Sequence, residues 1–371
     1  MQQISIAPAL APTGDGPPPP HAALLRAGVA RGIITGDQAL ALDRLAREDG
    51  AARDEPRDDE RLRFITGFAD IFVTLGLVLF LGAVTYFGSE SLGNAAGYAL
   101  VAGLAWGLAE FFTRVRRMAL PSIVLLLAFA HAGFSSLSAL LTAPLDHGGA
   151  SLFEFLDLSP GTALPMAGAA FGTVLLVAAH YRRFAVPITV AAGAAATAAF
   201  ALALVLAVAP GFAERFLALL LFVAGLAVFT LAMRFDLADA GRLTRRTDIA
   251  FWLHLLAAPL MVHPILSTLA TGGDGTRGAM IAVLAIVLAL AVVALAIDRR
   301  ALLVSGLVYA GIAFGALIRD AGFPGGTVPA SLLALGTFIL ALSAGWHPLR
   351  ARVLRALPRP WAARLPHPIG A

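Results

Sequence analysis

Residues 278–297 read GAMIAVLAIVLALAVVALAI, a stretch without one charged side chain, closed by Asp298, Arg299 and Arg300. At about 1.5 Å of rise per residue, a helix of this length covers about 30 Å, the hydrocarbon thickness of a bilayer. The run is apolar throughout rather than alternating. It is therefore expected as a helix that satisfies its own backbone hydrogen bonds in lipid, not as a barrel strand. Working outward, nine further stretches share this character, and the ten run approximately 65–87, 91–112, 118–142, 161–180, 185–209, 213–233, 249–271, 278–297, 301–318 and 327–345.

The whole chain agrees with its greasiest segment. Of 371 residues 59% are hydrophobic and 13% charged, with a mean hydropathy of +0.83. Water-soluble domains lie near half apolar and about a quarter charged, so too little polar surface exists here to coat a globule. The fold class expected is all-α, a polytopic membrane protein with about ten transmembrane helices. Residues 1–20 are polar and end in Pro17 to Pro20, which predicts a disordered tail and no signal peptide. Residues 21–49 predict a cytosolic helical hairpin: Leu24, Leu25 and Val29 share a face, Gly32 stops the first helix, and Thr35-Gly36-Asp37-Gln38 fits a capping box. Leu40, Leu42 and Leu45 are expected to supply its apolar contacts. A charged linker at 50–63, the membrane domain at 64–345 and a basic cytosolic tail at 346–371 complete the organisation.

Arginines set the orientation. All 27 basic residues are arginine, and 24 of them fall in the two tails or in the loops holding Arg114, Arg116 and Arg117; Arg182 and Arg183; Arg234, Arg242, Arg245 and Arg246; Arg299 and Arg300. Only Arg215, Arg277 and Arg319 fall on the opposite face. The positive-inside rule then predicts both termini in the cytoplasm, N-in and C-in. The stretch Arg116-Arg117-Met118-Ala119-Leu120-Pro121 returns as Arg182-Arg183-Phe184-Ala185-Val186-Pro187 at an offset of 66, with Val124 and Phe134 matched by Val190 and Phe200. This fits duplication of a two-helix unit, and it equally fits topology demanding basic loops ahead of Ala-rich helices. The Ala, Arg and Gly bias points to a GC-rich bacterial genome.

Several chemistries are excluded by composition. Without cysteine there are no disulfides, thiolate nucleophiles, zinc sites with sulfur ligands or cysteine-bound iron–sulfur clusters, and without lysine no Schiff base. There is no His-Glu-x-x-His motif, nucleophile elbow or phosphate-cradling Gly-rich loop. Neither catalytic residues nor cofactors are expected, and no metal site.

Polar groups deep in hydrocarbon are costly and so become the candidates for function. His131 lies mid-way along the third span near Ser135 and Ser136, and His263, followed by Pro264, lies past the middle of the seventh. Each histidine is read either as a proton relay or ligand contact, or as a neutral imidazole in an interhelical hydrogen bond. Asp70 and Glu110 sit near the basic face and are expected to pair with its arginines; His180 and His254 are similarly shallow. Gly103/Gly107, Gly168/Gly172 and Gly311/Gly315 each put two glycines one turn apart, as close helix packing requires. An outer loop carries Asp146, His147, Glu154 and Asp157, either a cation site or a plain solvated loop. After the last span, Arg350, Arg352, Arg355 and Arg359 alternate with Leu349, Val353, Leu354, Leu357 and Trp361, a pattern suited to anionic lipid at the cytoplasmic face. Tethered directly behind a membrane helix, this tail is read as a lipid contact and not as a nucleic-acid contact.

The hairpin containing Gly32-Ile33-Ile34-Thr35-Gly36-Asp37-Gln38-Ala39, the charged linker, and a first span with Leu75-Gly76-Leu77-Val78-Leu79-Phe80-Leu81-Gly82 resemble the bacterial predicted-membrane-protein family called domain of unknown function 2157. The likeness covers the hairpin and about the first three spans. It departs at Phe87-Gly88-Ser89-Glu90, where family members often place Asn-Trp. The resemblance implies an integral membrane protein and transfers no site residues. The function expected is a non-enzymatic multi-pass protein of the bacterial inner membrane, with a scaffold, sensor or accessory role. Its hairpin would meet a cytosolic protein partner. The alternative is a secondary transporter of a small molecule whose ten helices resemble drug/metabolite transporters.

Overall fold

The computed structural model describes residues 20–53, 68–142, 160–239, 244–271, 277–322, 326–358, 360 and 365, which hold helices and no strand. The tail expected as disordered, most of the charged linker, the outer-loop set Asp146, His147, Glu154 and Asp157, and Arg359 lie outside the described residues. The chain divides into two compact units, Met1–Arg61 and Leu62–Ala371.

The first unit is a helical hairpin of α1 (Pro20–Ala30) and α2 (Gly36–Arg53). Gly32 turns the chain with a φ of 68°, and a reciprocal capping box starts α2. In that box the Thr35 amide donates to Gln38 Oε1 at 2.8 Å and the Gln38 amide donates to Thr35 Oγ1 at 3.3 Å. Ala39 is buried, but Leu42 and Leu45 are 45% and 59% exposed. They do not supply the internal contacts expected of them: among the described residues of α2 the buried ones are Ala39 and Asp43, with Leu40 half-buried.

The second unit is a bundle containing ten helices long and apolar enough to cross a membrane, among the described residues. These are α3 (Phe68–Leu92), α4 (Asn94–Ala109, continued to Val115 as a π-helical turn), α5 (Ala119–Thr142), α6 (Ala163–Phe184), α7 (Ile188–Val208), α8 (Pro210–Leu237), α9 (Arg245–Thr271), α10 (Arg277–Ile297), α11 (Ala301–Asp320) and α12 (Thr327–Ala344). A short α13 (Trp346–Ala356) follows. Their limits match the sequence reading to within a few residues. Each of α5, α7, α9 and α11 begins at the arginine end and packs against the even helix before it, α3 packs against α4, and α3, α5, α7, α9 and α11 also touch one another in series. Small residues permit that spine: Ala132, Ala191, Ala257 and Ala313 are all buried. Large side chains such as Phe72, Leu79, Leu219, Leu288, Val308 and Leu333 face outward and are exposed, an exterior as greasy as the interior. That inverts the rule for a soluble bundle and fits a lipid surround.

Candidate functional site at the arginine end of the bundle

Three connections shape the arginine end. The last turn of α4, Glu110–Val115, is π-helical, so its carbonyls pair one residue further along: the Arg116 amide donates to Phe111 at 2.9 Å. Arg117 then takes a left-handed φ of 53°, and α5 starts at Ala119. Ala185 (φ 52°) caps α6 in the same conformation before Pro187 leads into α7. An offset of 66 pairs Arg117 with Arg183, so the two left-handed residues fall at different places in the repeated stretch. The sequence likeness is therefore not carried into the turn geometry.

Between these turns and the first turn of α9 lies a cavity of about 610 Å³, lined among others by Arg114, Arg117, Arg183, Arg245, Ser122 and Trp252. Glu110 is held by Arg114 Nη1 at 2.7 Å and by Arg183 Nε and Nη2 at 2.7 and 3.0 Å, the ion pairs expected of it. Arg117 and Arg245 have no ion-pair partner among the described residues. Thr113, also on the cavity wall, has a buried hydroxyl with no hydrogen-bond partner among them. In an α-helix a threonine hydroxyl commonly returns to the carbonyl four residues back, as Thr142 and Thr173 do at 2.8 Å. The N-termini of α5, α7 and α9 all meet this end, and their first-turn amides add partial positive charge.

A second polar centre is closed. Asp236, in the last turn of α8, accepts from His254 Nε2 of α9 at 2.8 Å, from Arg299 Nε at 3.1 Å, and from Arg299 Nη2. All three side chains are almost fully buried. Asp298, left-handed at φ 57°, ends α10 and turns the chain so that its neighbours diverge. Arg299 goes inward, while the Arg300 guanidinium lies 5.0 Å above the Trp346 ring. Asp298 Oδ1 accepts from Trp346 Nε1 at 2.8 Å and lies 3.7 Å from Arg350 Nε. Arg350 is 6% exposed, which corrects its expected role: its charge faces Asp298 and not lipid. Burial lowers the Arg350 guanidinium's proton affinity, and Asp298 opposes that. Arg352 and Arg355 are exposed, as contacts to anionic lipid require.

The mid-span candidates fall apart from one another. His131 is exposed and edge-on to Tyr98 of α4 at 6.1 Å, in a mostly apolar groove of about 330 Å³. Ser136 donates to the Ala95 carbonyl at 2.8 Å, tying α5 to α4. Ser135 is buried, its hydroxyl without a partner among the described residues. His263 shares a hydrogen bond through Nδ1 with the Tyr309 hydroxyl, tying α9 to α11. Ser136 and His131 thus serve one seam and His263 another, and no described contact joins them. His180 is buried against Trp106, Phe129 and Phe184 at ring distances of 5.8, 5.5 and 4.5 Å.

Sequence reasoning missed Asp236 and its partnership with His254 and Arg299. A signal existed: Asp236 is a carboxylate directly behind a long apolar run, set among arginines. Comparison with models of known families, with curated proteins and with solved structures finds no match for this chain.

Proposed function

We propose that the chain is a non-enzymatic multi-pass protein of a bacterial inner membrane, with both termini in the cytoplasm, and that it acts there as a scaffold or sensor through its N-terminal hairpin. The hairpin's own surface carries this reading. Two helices of 11 and 18 residues are too small to enclose a core. Leu24, Leu42 and Leu45 stand exposed on them and Ile33 on the turn between, the side chains a protein partner would cover. The arginine bias supports a cytoplasmic hairpin. The resemblance to the domain of unknown function 2157 family supports an integral membrane protein built on this plan. The polar groups of the bundle support a structural role, since Glu110, Asp236 and Asp298 each hold arginines of the same chain.

The reading is tested in cells with a photo-crosslinking residue at Leu45 of the full chain. A single defined adduct with a cytosolic protein, lost on Leu42→Glu, is expected. Adducts only to lipid, or none above an unirradiated control, would remove the scaffold reading.

A further inference from the structure

We propose that the cavity at the arginine end binds a phosphate group, as a phospholipid headgroup or as a small phosphorylated compound. Topology alone asks for arginines on this face of the membrane, but it does not ask for a cavity between them. Four arginines line this one, and among the described residues a single carboxylate, Glu110, pairs with any of them, holding Arg114 and Arg183. Arg117 and Arg245 keep full charges unanswered by any carboxylate among the described residues, on opposite elements of the rim. Phosphate suits such a site better than a lone carboxylate does, because its three or four oxygens accept from several guanidinium forks at once.

The remaining wall is mixed, because the carbonyl ends of α4 and α6 reach it together with helix amino ends. The first turns of α5 and α7 present amide dipoles of the sign that attracts anions. Thr113 is on the wall too, its hydroxyl buried and without a hydrogen-bond partner among the described residues. Trp252 and Met118 supply an apolar side against which a glycerol or sugar carbon could rest. At about 610 Å³ the space lies inside the usual range for small-ligand pockets and holds a headgroup with room left over. The scaffold or sensor reading enters only in naming the side from which the ligand comes.

The test uses the full chain purified in a neutral detergent and titrated with dioctanoyl phosphatidic acid, inorganic pyrophosphate and dioctanoyl phosphatidylcholine, following tryptophan fluorescence. Saturable binding of the phosphatidic acid or of pyrophosphate is expected, with no saturable change from phosphatidylcholine, and with the signal lost in Trp252→Phe. If pyrophosphate displaces the phosphatidic acid, the ligand reaches the site from water; if it does not, the site takes a lipid headgroup. Arg117→Gln and Arg245→Gln should each weaken binding about tenfold or more, as loss of one charge-assisted contact does. Arg245→Gln leaves the left-handed turn intact, and Arg117→Lys should bind within a few-fold of the native chain. Arg352→Gln, on the exposed face of α13, should change nothing. The proposal is overturned if neither anion binds saturably, if both glutamine variants bind like the native chain, or if Arg352→Gln weakens binding as much as they do. None of these outcomes depends on which side of the membrane the hairpin occupies or on whether it meets a partner.

Discussion

Asp236 shows how one carboxylate decides the fate of two basic groups. Taken from water alone it would be far too costly to ionise, so it is buried only because Arg299 and His254 share it. Removing one member of such a group leaves the other charge uncompensated, which costs about 3–5 kcal/mol, whereas replacing the pair with apolar groups of similar volume is often neutral. Arg299→Met should therefore lower the thermal midpoint of the purified protein clearly, and Asp236→Leu combined with Arg299→Met should recover most of the loss. A double variant no more stable than the single one would show that the stranded Asp236 charge is not the source of the loss. The sequence makes Arg299 visible as a topology charge, one of many on that face. It does not reveal that Arg299 points inward while Arg300 covers Trp346, because that divergence is made by the left-handed backbone at Asp298, a conformation aspartate adopts more readily than most residues but does not by itself announce.

Between elements, contact distance matters more than motif. The three glycine pairs legible in the sequence do different things. Gly168 and Gly172 receive Leu141 and Leu137 of α5, and Gly311 and Gly315 face side chains of α12. Gly103 and Gly107 have open space within 4 Å. True backbone approach occurs elsewhere: a Cβ built on Gly97 would stand 2.6 Å from the Gly88 carbonyl carbon and the Ser89 nitrogen. Main chain cannot swing away as a leucine tip can, so Gly97→Ala must part α3 from α4 near their connecting turn. A cost of about 1–3 kcal/mol is expected from such overpacking, against almost none for Gly103→Ala. Midpoints of thermal unfolding in detergent for the two variants check this, and equal midpoints would refute it. Gly97 and Gly88 are nine residues apart across a turn, a spacing set by where α3 ends and not by helical periodicity. That is why the pattern search passed over them.

At the scale of the whole molecule the spans were the most legible feature, because lipid imposes its requirement on every segment separately. Each crossing helix must satisfy its own backbone and present apolar side chains on whichever side meets hydrocarbon. Hydropathy along the chain therefore carries nearly all the information needed to find ten helices, while their partners are settled by small differences in side-chain size that hydropathy does not record. His131 and His263 illustrate the gap: both are legible as polar groups at depth, yet their separate seams follow from helix order in space. Orientation is again a property of the whole. With 24 of 27 arginines assigned to one face, no single loop decides it. A fluorescent-protein fusion after Ala371 should be bright, and an alkaline phosphatase fusion there inactive, while phosphatase inserted in the 143–159 loop should be active. Replacing the exposed Arg116 and Arg182 together by glutamine should leave all three readings unchanged, because the other basic loops still hold the bundle in place. An active phosphatase at the carboxyl end would reverse the orientation and would place the arginine-lined cavity on the outer side of the membrane, where any phosphate ligand would have to come from outside the cell.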